Sequence, residues 1–219
     1  MTAKKKIVFC DFDGTITVND NIVAIIKHFQ PEGWEELVNK TISTEISIKE
    51  GVGSLFRLLP TSMKEEVVQF GISNARIREG FAEFVQFCKD NDIEFYVTSG
   101  GIDFFVYPIL ARYEIAEDHI YCNKSDFSGE RIEILWPHPC DEHCSNDCGM
   151  CKPTIMRKFS EEQYERIIIG DSVTDFEGAK LADQVFSRSH LTEKCRELSI
   201  AHTEFATFYD IIEAMKQKG

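Results

Sequence analysis

The sequence predicts an α/β fold: a mostly parallel sheet with helices on both faces, plus a small helical cap inserted after the first strand. Two observations carry that expectation. Short, continuously apolar runs alternate with amphipathic stretches of helical period, the pattern of strands buried on both faces and joined by crossover helices. One long segment, from Asn21 to about Ser73, breaks the alternation with helical pieces alone.

The first strand is Ile7 to Cys10, β-branched residues leading into an Asp-rich, Gly-containing turn. The insert follows, its helical pieces separated by Pro31 and by Leu59-Pro60-Thr61-Ser62. At roughly fifty residues it is far longer than a single crossover requires. Phe81, Phe84, Val85 and Cys88 then fall at i, i+3, i+4 and i+7, the apolar stripe of a helix that stops before Asn91-Asp92. Ile93 to Thr98 reads as the second strand, and Ile102, Phe105, Val106 and Ile109 as the next helix, with Pro108 a local irregularity. Between His119 and Pro137, strand-like runs flank Ser128-Gly129 and suit a hairpin. Ile167 to Ile169 and Val185-Phe186 complete the sheet, and an amphipathic stretch from Phe205 to Met215 leads to the closing Lys and Gly.

A chain of 219 residues buries a real core. The net charge of −13 argues against a nucleic-acid partner, because phosphate backbones are bound by neutralising them with Lys and Arg. An anionic ligand on such a protein needs local positive potential from a metal, a lysine or backbone N–H groups. No apolar run approaches the roughly 18 residues of a membrane span, so no membrane partner is expected. The start, Thr2-Ala3-Lys4-Lys5-Lys6 with four apolar residues after it, is not a secretory leader, and a cytosolic location is the expectation.

The first strand runs into Asp11-Phe12-Asp13-Gly14-Thr15. Two carboxylates two residues apart, past a buried strand, sit at the carboxyl end of the sheet, where open α/β sheets bind ligands. One carboxylate can act as a covalent catalyst of phosphoryl transfer, and its neighbour can give and take the proton. Ile167 to Ile169 lead into Gly170-Asp171-Ser172-Val173-Thr174-Asp175, acidic again. Asp11, Asp171 and the backbone carbonyl of Asp13 make an oxygen-only set suited to Mg²⁺. Asp175 either orients that set from behind or caps the following helix. The second strand ends in Ser99-Gly100-Gly101, where a hydroxyl and exposed N–H groups before a helix suit phosphate capture, or form a plain turn. Lys152 precedes Pro153, which fits the first turn of a helix.

The order of these pieces, Asp11-Phe12-Asp13-Gly14-Thr15, then Ser99, Lys152, and Gly170-Asp171 with Asp175, resembles the haloacid dehalogenase superfamily of phosphatases. The resemblance implies a Rossmann-like catalytic core at 1–19 and 74–219, with the hairpin and a Cys-rich loop at 119–152, and a cap at 20–73. It further implies Asp11 as nucleophile, Asp13 as general acid/base, Ser99, Gly100 and Lys152 as phosphate holders, Asp171 as a magnesium ligand, and a small phosphorylated metabolite as partner. The small helical cap and the Ser-Gly-Gly look most like the phosphoserine-phosphatase-type branch. That branch grips its substrate ammonium with a Glu shortly after the first motif, where this chain has Val18-Asn19-Asp20, with Asp20 the shorter counterpart. The loop from Trp136-Pro137-His138-Pro139-Cys140 to Cys148-Gly149-Met150-Cys151-Lys152-Pro153 resembles a narrower group, the methionine-salvage phosphatases acting on 2-hydroxy-3-keto-5-methylthiopentenyl-1-phosphate, an enol phosphate.

Of eight cysteines, Cys10, Cys88, Cys122 and Cys195 lie in or beside apolar segments and read as buried small hydrophobes. Cys140, Cys144, Cys148 and Cys151, interleaved with His138 and His143, can close a tetrahedral zinc site or form a thiol-rich loop that only packs. Either way the loop delivers Lys152, so disordering it is expected to cost catalysis more than stability. Ile22, Ile25, Ile26, Trp34, Leu55 and Phe56 either line the pocket under the cap or form the cap's own core. A phosphotransferase shares every motif. A phosphoaspartate signalling receiver would need neither the cap nor Asp13, and a non-catalytic zinc module would leave the carboxylate set unused.

Overall fold

The computed structural model describes residues 4–217. Thr2, Ala3 and the closing Gly219, on which two of the expectations above touch, lie outside the described residues. In chain order the strands are β1 (Lys5–Cys10), β2 (Glu94–Ile102), β3 (Ile120–Asp126), β4 (Glu133–Leu135), β5 (Tyr164–Gly170), β6 (Gln184–Ser187) and β7 (Thr203–Glu204). They form one sheet in the order β4-β3-β2-β1-β5-β6-β7, parallel throughout except for β4, the antiparallel arm of the hairpin with β3. Cys10 pairs with Val97 on one side and Ile169 on the other. The chain therefore leaves β1, β2 and β5 at the same end of the sheet, with Asp11, Ser99 and Asp171 emerging side by side.

The strand residues alternate between two apolar layers because neighbouring side chains point to opposite faces. Val8, Cys10, Val97, Ile167 and Ile169 belong to one cluster, and Ile7, Phe9, Tyr96 and Ile168 to the other. Burial on both faces is why these strands read as continuous apolar runs. The first layer is covered by α5 (Phe81–Asp90) and α10 (Phe208–Gln217), through Phe81, Phe84, Phe208 and Ile211. The second is covered by α7 (Lys152–Met156) and α9 (Ser189–Glu197), through Ile155, Met156, Leu191 and Cys195. α6 (Asp103–Leu110) follows β2 and α8 (Phe176–Ala179) follows β5.

Between β1 and β2 the chain forms α1 (Asn21–Phe29), α2 (Trp34–Ile42), α3 (Ile48–Arg57) and α4 (Lys64–Asn74), with no strand among them. Ile25, Ile26, Leu55, Phe56 and Val67 join the first apolar cluster of the sheet, so insert and sheet share one core. Trp34 packs half-buried against that core, while Ile22 and Leu55 also face the cavity described below. Among the described residues no helix is long and apolar enough to cross a membrane.

Three boundaries differ from the sequence reading. β2 continues past Thr98 through Ser99-Gly100-Gly101 to Ile102, with a register shift against β3, so Ser-Gly-Gly is a bulged strand end and not a free turn. Ile102 ends that strand; its spacing from Phe105 imitates a helical repeat because both are fully buried. α10 starts at Phe208 because the Asp210 carboxylate accepts hydrogen bonds from the N–H groups of Ala206 and Thr207, leaving Phe205 outside the helix.

Candidate active site

β1 sits where the strand order reverses: β2 and β3 extend to one side, β5 and β6 to the other. The crevice at the carboxyl end of such a switch point is where α/β sheets bind ligands. Asp11, 5% exposed, occupies it directly after β1.

A buried ionic network fills the floor. Lys152, the first residue of α7, is 2% exposed and its Nζ donates to Asp11 Oδ1 at 2.6 Å and to Asp175 Oδ1. The second Asp175 oxygen accepts from the backbone N–H of Asp171 at 3.1 Å, the N–H of Ser172 at 3.0 Å and Ser172 Oγ at 3.2 Å. Asp175 thus lies behind the acidic cluster and closes the capping box of its own turn, and its side chain does not cap the helix that follows, the other role the sequence left open. Thr15 Oγ1 donates to Asp171 Oδ1 at 2.9 Å, locking the third carboxylate. Gly14 is required beside it: its φ is +80°, and a Cβ there would overlap the Asp171 carboxylate.

Oxygens of Asp11, Asp171 and Asp175 lie within 4.8 Å of one another. Three carboxylates facing one ammonium leave a buried excess of negative charge, and an oxygen-only donor set of this kind fits a hard divalent cation such as Mg²⁺. Burial raises the Asp11 pKa, Lys152 opposes that, and the Asp175 and Asp171 charges reinforce it. Asp171 is pushed up to about 6, by burial first and then by Asp175. Burial works against the Lys152 charge, but Asp11 and Asp175 outweigh it and hold its pKa above the ordinary lysine value.

Asp13, on the same floor, is held by the insert and not by Lys152. Its Oδ1 accepts from the backbone N–H of Asn21 at 2.8 Å and from Asn21 Nδ2 at 2.7 Å. Burial, and then the nearby Asp20 charge, push its pKa up to about 7 against those two donors, a value suited to proton transfer near neutrality. Asp20 itself serves as the N-cap of α1, its Oδ1 accepting from the N–H of Val23 at 2.9 Å, while it lines the cavity. Ser99 is fully buried and its Oγ accepts from the N–H of Gly101 at 2.8 Å. Gly100, where a Cβ would meet nothing within 4 Å, faces the cavity instead.

Four residues of this neighbourhood escaped the sequence reading. Thr15 lies within the first motif, where nothing in the sequence marks its bond to Asp171. Asn21 and Asn123 are polar positions on otherwise apolar faces, one four residues before Ile25 on α1 and one following Ile120-Tyr121-Cys122 on β3; that mismatch was the available signal. Asn123 is 1% exposed, donates through Nδ2 to the Gly100 carbonyl at 2.8 Å, and leaves Oδ1 without a partner among the described residues, on the cavity wall. Arg78, 6% exposed, donates from Nε to the Thr15 carbonyl and from Nη2 to the Gly14 carbonyl, both at 2.7 Å, pinning the turn after β1. No local pattern announces an arginine that reaches back 63 positions.

Above the floor a cavity of about 340 Å³ opens between sheet and insert. Its floor is Asp11, Asp13, Lys152 and Asp171; its walls are mostly apolar, with Ile22, Val38, Ile42, Val52, Leu55, Trp136 and Met150. Trp136, Cys148 and Met150 belong to the cysteine-rich loop, which therefore forms part of the wall. Cys140, Cys144 and Cys151 bring their Sγ atoms within 4.8 Å of one another, and Cys148 also borders the cavity. Cys10, Cys88, Cys122 and Cys195 are buried.

Residues 8–180 match the family model described as haloacid dehalogenase-like hydrolase. Over 215 residues, 98% of this chain and 97% of the relative, the sequence is 55% identical to the 2-hydroxy-3-keto-5-methylthiopentenyl-1-phosphate phosphatase of Brevibacillus brevis strain 47. It is 54% identical, over 95% of both chains, to the protein of the same name from Bacillus cereus strain G9842. A substrate-bound phosphoserine phosphatase complex superposes with a TM-score of 0.71 over 97% of this chain and 99% of that one, at 18% identity, a likeness of fold. With the family model spanning the sheet from β1 to the end of α8, and half-identical relatives matched nearly end to end, the chain belongs to the haloacid dehalogenase-like hydrolase family.

Proposed function

We propose that this protein is a magnesium-dependent phosphatase that hydrolyses 2-hydroxy-3-keto-5-methylthiopentenyl-1-phosphate, a reaction of methionine salvage, through a phosphoaspartate on Asp11. The observation that carries the reading is the Asp11–Lys152–Asp175 network lying beneath a mostly apolar cavity. The helical segment at 20–73 acts as the cap over that cavity.

An Asp11 carboxylate oxygen attacks phosphorus while the bond to the substrate oxygen breaks, and Asp13 gives its proton to the departing oxygen. Asp13, now a carboxylate, takes a proton from water as that water attacks the phosphoaspartate, releasing inorganic phosphate and restoring both residues. Lys152, Gly100 and the Ser99 hydroxyl, freed from Gly101, hold the phosphate oxygens. Asp11, Asp171 and the Asp13 carbonyl would hold magnesium, which would supply positive charge against the transferring phosphoryl group. Asp175 stands behind: both its oxygens are engaged by Lys152 and the N–H groups of Asp171 and Ser172.

The relatives of that name support this substrate, and so does the wall chemistry. A methylthio tail buries well against Ile22, Val52, Leu55 and Met150, whereas the ammonium of phosphoserine would need an anionic partner there. Asp20, the candidate for that role, has its Oδ1 committed to the N–H of Val23. A reducing, cytosolic compartment suits eight cysteines that are all unpaired.

Phosphate release from a panel of phosphomonoesters with added Mg²⁺ tests the assignment. The enol phosphate is expected to be turned over far faster than phosphoserine, and Asp11→Asn to abolish turnover of both. Equal rates on the two esters would remove the substrate assignment while leaving the mechanism; near-normal turnover by Asp11→Asn would remove the mechanism.

A further inference from the structure

From Trp136 to Cys151 the chain has neither helix nor strand, yet it holds Trp136 and Met150 against the cavity and ends where Lys152 enters the floor. Apolar burial does not explain this order. Within the loop only Met150 and Cys151 are fully buried, and long structureless loops inside compact proteins are uncommon without a fastening of some kind. Two residues adopt left-handed backbone, Asp147 (φ +48°) and Gly149 (φ +86°). A Cβ at Gly149 would collide with the Trp136 ring, so the turn also packs against the cavity wall.

What this turn accomplishes is the convergence of thiols. The Sγ atoms of Cys140, Cys144 and Cys151 are within 4.8 Å of one another. Four thiolates at about 2.3 Å from one zinc sit roughly 3.8 Å apart, so the triad needs only a small contraction. Cys148 borders the cavity outside that triad and stands three residues before Cys151, in the Cys-x-x-Cys spacing of zinc-binding turns, so a shift of its side chain supplies the fourth ligand. The Cys140 sulfur is further met by the backbone N–H groups of Asp147 and Cys148. Disulfides do not account for the cluster: all eight cysteines are unpaired, and three mutually close thiols cannot all be paired with one another.

We propose that Cys140, Cys144, Cys148 and Cys151 bind one structural zinc ion, distinct from the oxygen-lined site for magnesium and independent of the substrate reading above. Binding exchanges four thiol protons for one Zn²⁺ and leaves a complex of net charge −2. Arg157, close to Cys144 and Cys151, offsets part of that charge while its Nε holds Asp141 at 2.8 Å. The loop in turn reaches the insert, where Ser47 Oγ donates to Asp147 Oδ2 at 2.7 Å and the Lys49 N–H to the Asp147 carbonyl at 3.2 Å. Zinc therefore fastens the start of α3, the Trp136 wall and Lys152 to one rigid point.

The test is metal content, which does not depend on turnover. Protein purified without chelators is expected to carry one zinc per chain by elemental analysis, with the loop thiols unreactive until a strong chelator removes it. Cobalt exchanged into the wild-type protein should give an intense near-ultraviolet thiolate-to-cobalt band. Cys140→Ser, Cys144→Ser, Cys148→Ser and Cys151→Ser should each weaken zinc affinity at least about tenfold, the loss caused by removing even a partner that only supports a ligand. Wild-type protein free of zinc with reactive loop thiols would overturn the proposal even if every variant failed to fold. So would cobalt uptake without the sulfur band, or zinc retained in the quadruple serine variant.

Discussion

Asn21 gives two hydrogen bonds to a single oxygen of Asp13, one from its backbone N–H at 2.8 Å and one from its side chain at 2.7 Å. The first residue of the helical insert thus holds the carboxyl proposed as general acid/base. Both bonds favour the charged carboxylate and work against the burial that raises its pKa. Asn21→Leu, which keeps only the backbone donor, is expected to move the apparent pKa of Asp13 upward and to lower kcat about tenfold. The pH–rate profile checks this, and a lowered rate with an unmoved profile would assign Asn21 a packing role only.

Lys152 is the only cation contacting Asp11 or Asp175 among the described ion pairs. Lys152→Met leaves both carboxylates buried and unpaired. The expected loss is about 3–5 kcal/mol of folding stability, the cost of breaking a buried pair from one side. Urea unfolding measures it. Lys152→Met/Asp175→Asn should recover part of the stability without recovering activity.

Removing magnesium should change the stability of the protein with pH in a specific direction. Asp13 and Asp171 have folded-state pKa values of about 7 and about 6, above the ordinary carboxylate value of 3.8. Between that value and 6 to 7 the folded chain holds protons that the unfolded chain releases, so the contribution is present in acid and lost as pH rises through 6 and 7. The chelator-treated protein should therefore gain melting temperature from pH 8 to pH 5.5. Carboxyls with lowered values, such as Asp141 and Asp210, lose their contribution only below that window. Added Mg²⁺ should stabilise most at pH 8, because it binds the deprotonated set. A melting temperature that falls steadily from pH 8 to 5.5 without metal would contradict the raised values.

Gly14→Ala places a methyl group on the Asp171 carboxylate and demands φ +80° of a residue that avoids it. Turnover should fall at least about a hundredfold, and thermal stability by about 1–3 kcal/mol from the strained backbone alone. Gly100→Ala, where a Cβ meets nothing within 4 Å, is the matched control and should fold normally.

Asn123 offers its unpartnered Oδ1 to the cavity while Nδ2 is fixed by the Gly100 carbonyl. An acceptor so placed suits a substrate hydroxyl. Asn123→Leu is expected to lower kcat/KM for the hydroxylated enol phosphate about tenfold or more, and to change turnover of p-nitrophenyl phosphate little. Equal losses on both would place its role in supporting Gly100.

The sequence read the scaffold well because buried parallel strands have few alternatives. Ile7 to Cys10 and Ile167 to Ile169 are apolar on both faces, and the insert between Asn21 and Ser73 offers no such run. The acidic motif residues Asp11, Asp171 and Asp175 were legible for the same reason, since each follows a strand end that the pattern fixes, whereas Lys152 was singled out only by the resemblance in motif order. The boundary at Ser99 was not, since a bulge that keeps Gly100 and Gly101 in the strand depends on pairing with β3, which no local window contains. Arg78 and Asn21 also stayed hidden, because their partners are backbone carbonyls and a carboxylate whose positions the fold alone supplies.

By itself the sequence determined a doubly covered sheet, a helical insert after β1 and an acidic set at the strand ends, products of local pattern and spacing, while Lys152 joined that set through the resemblance in motif order. Only the tertiary structure decided that Lys152 is shared between Asp11 and Asp175, that Asn21 holds Asp13, and that three loop thiols meet. Those contacts join residues up to 141 positions apart. Their geometry comes from sheet register and packing, which bring distant segments to hydrogen-bonding distance without leaving a trace in the residues between them.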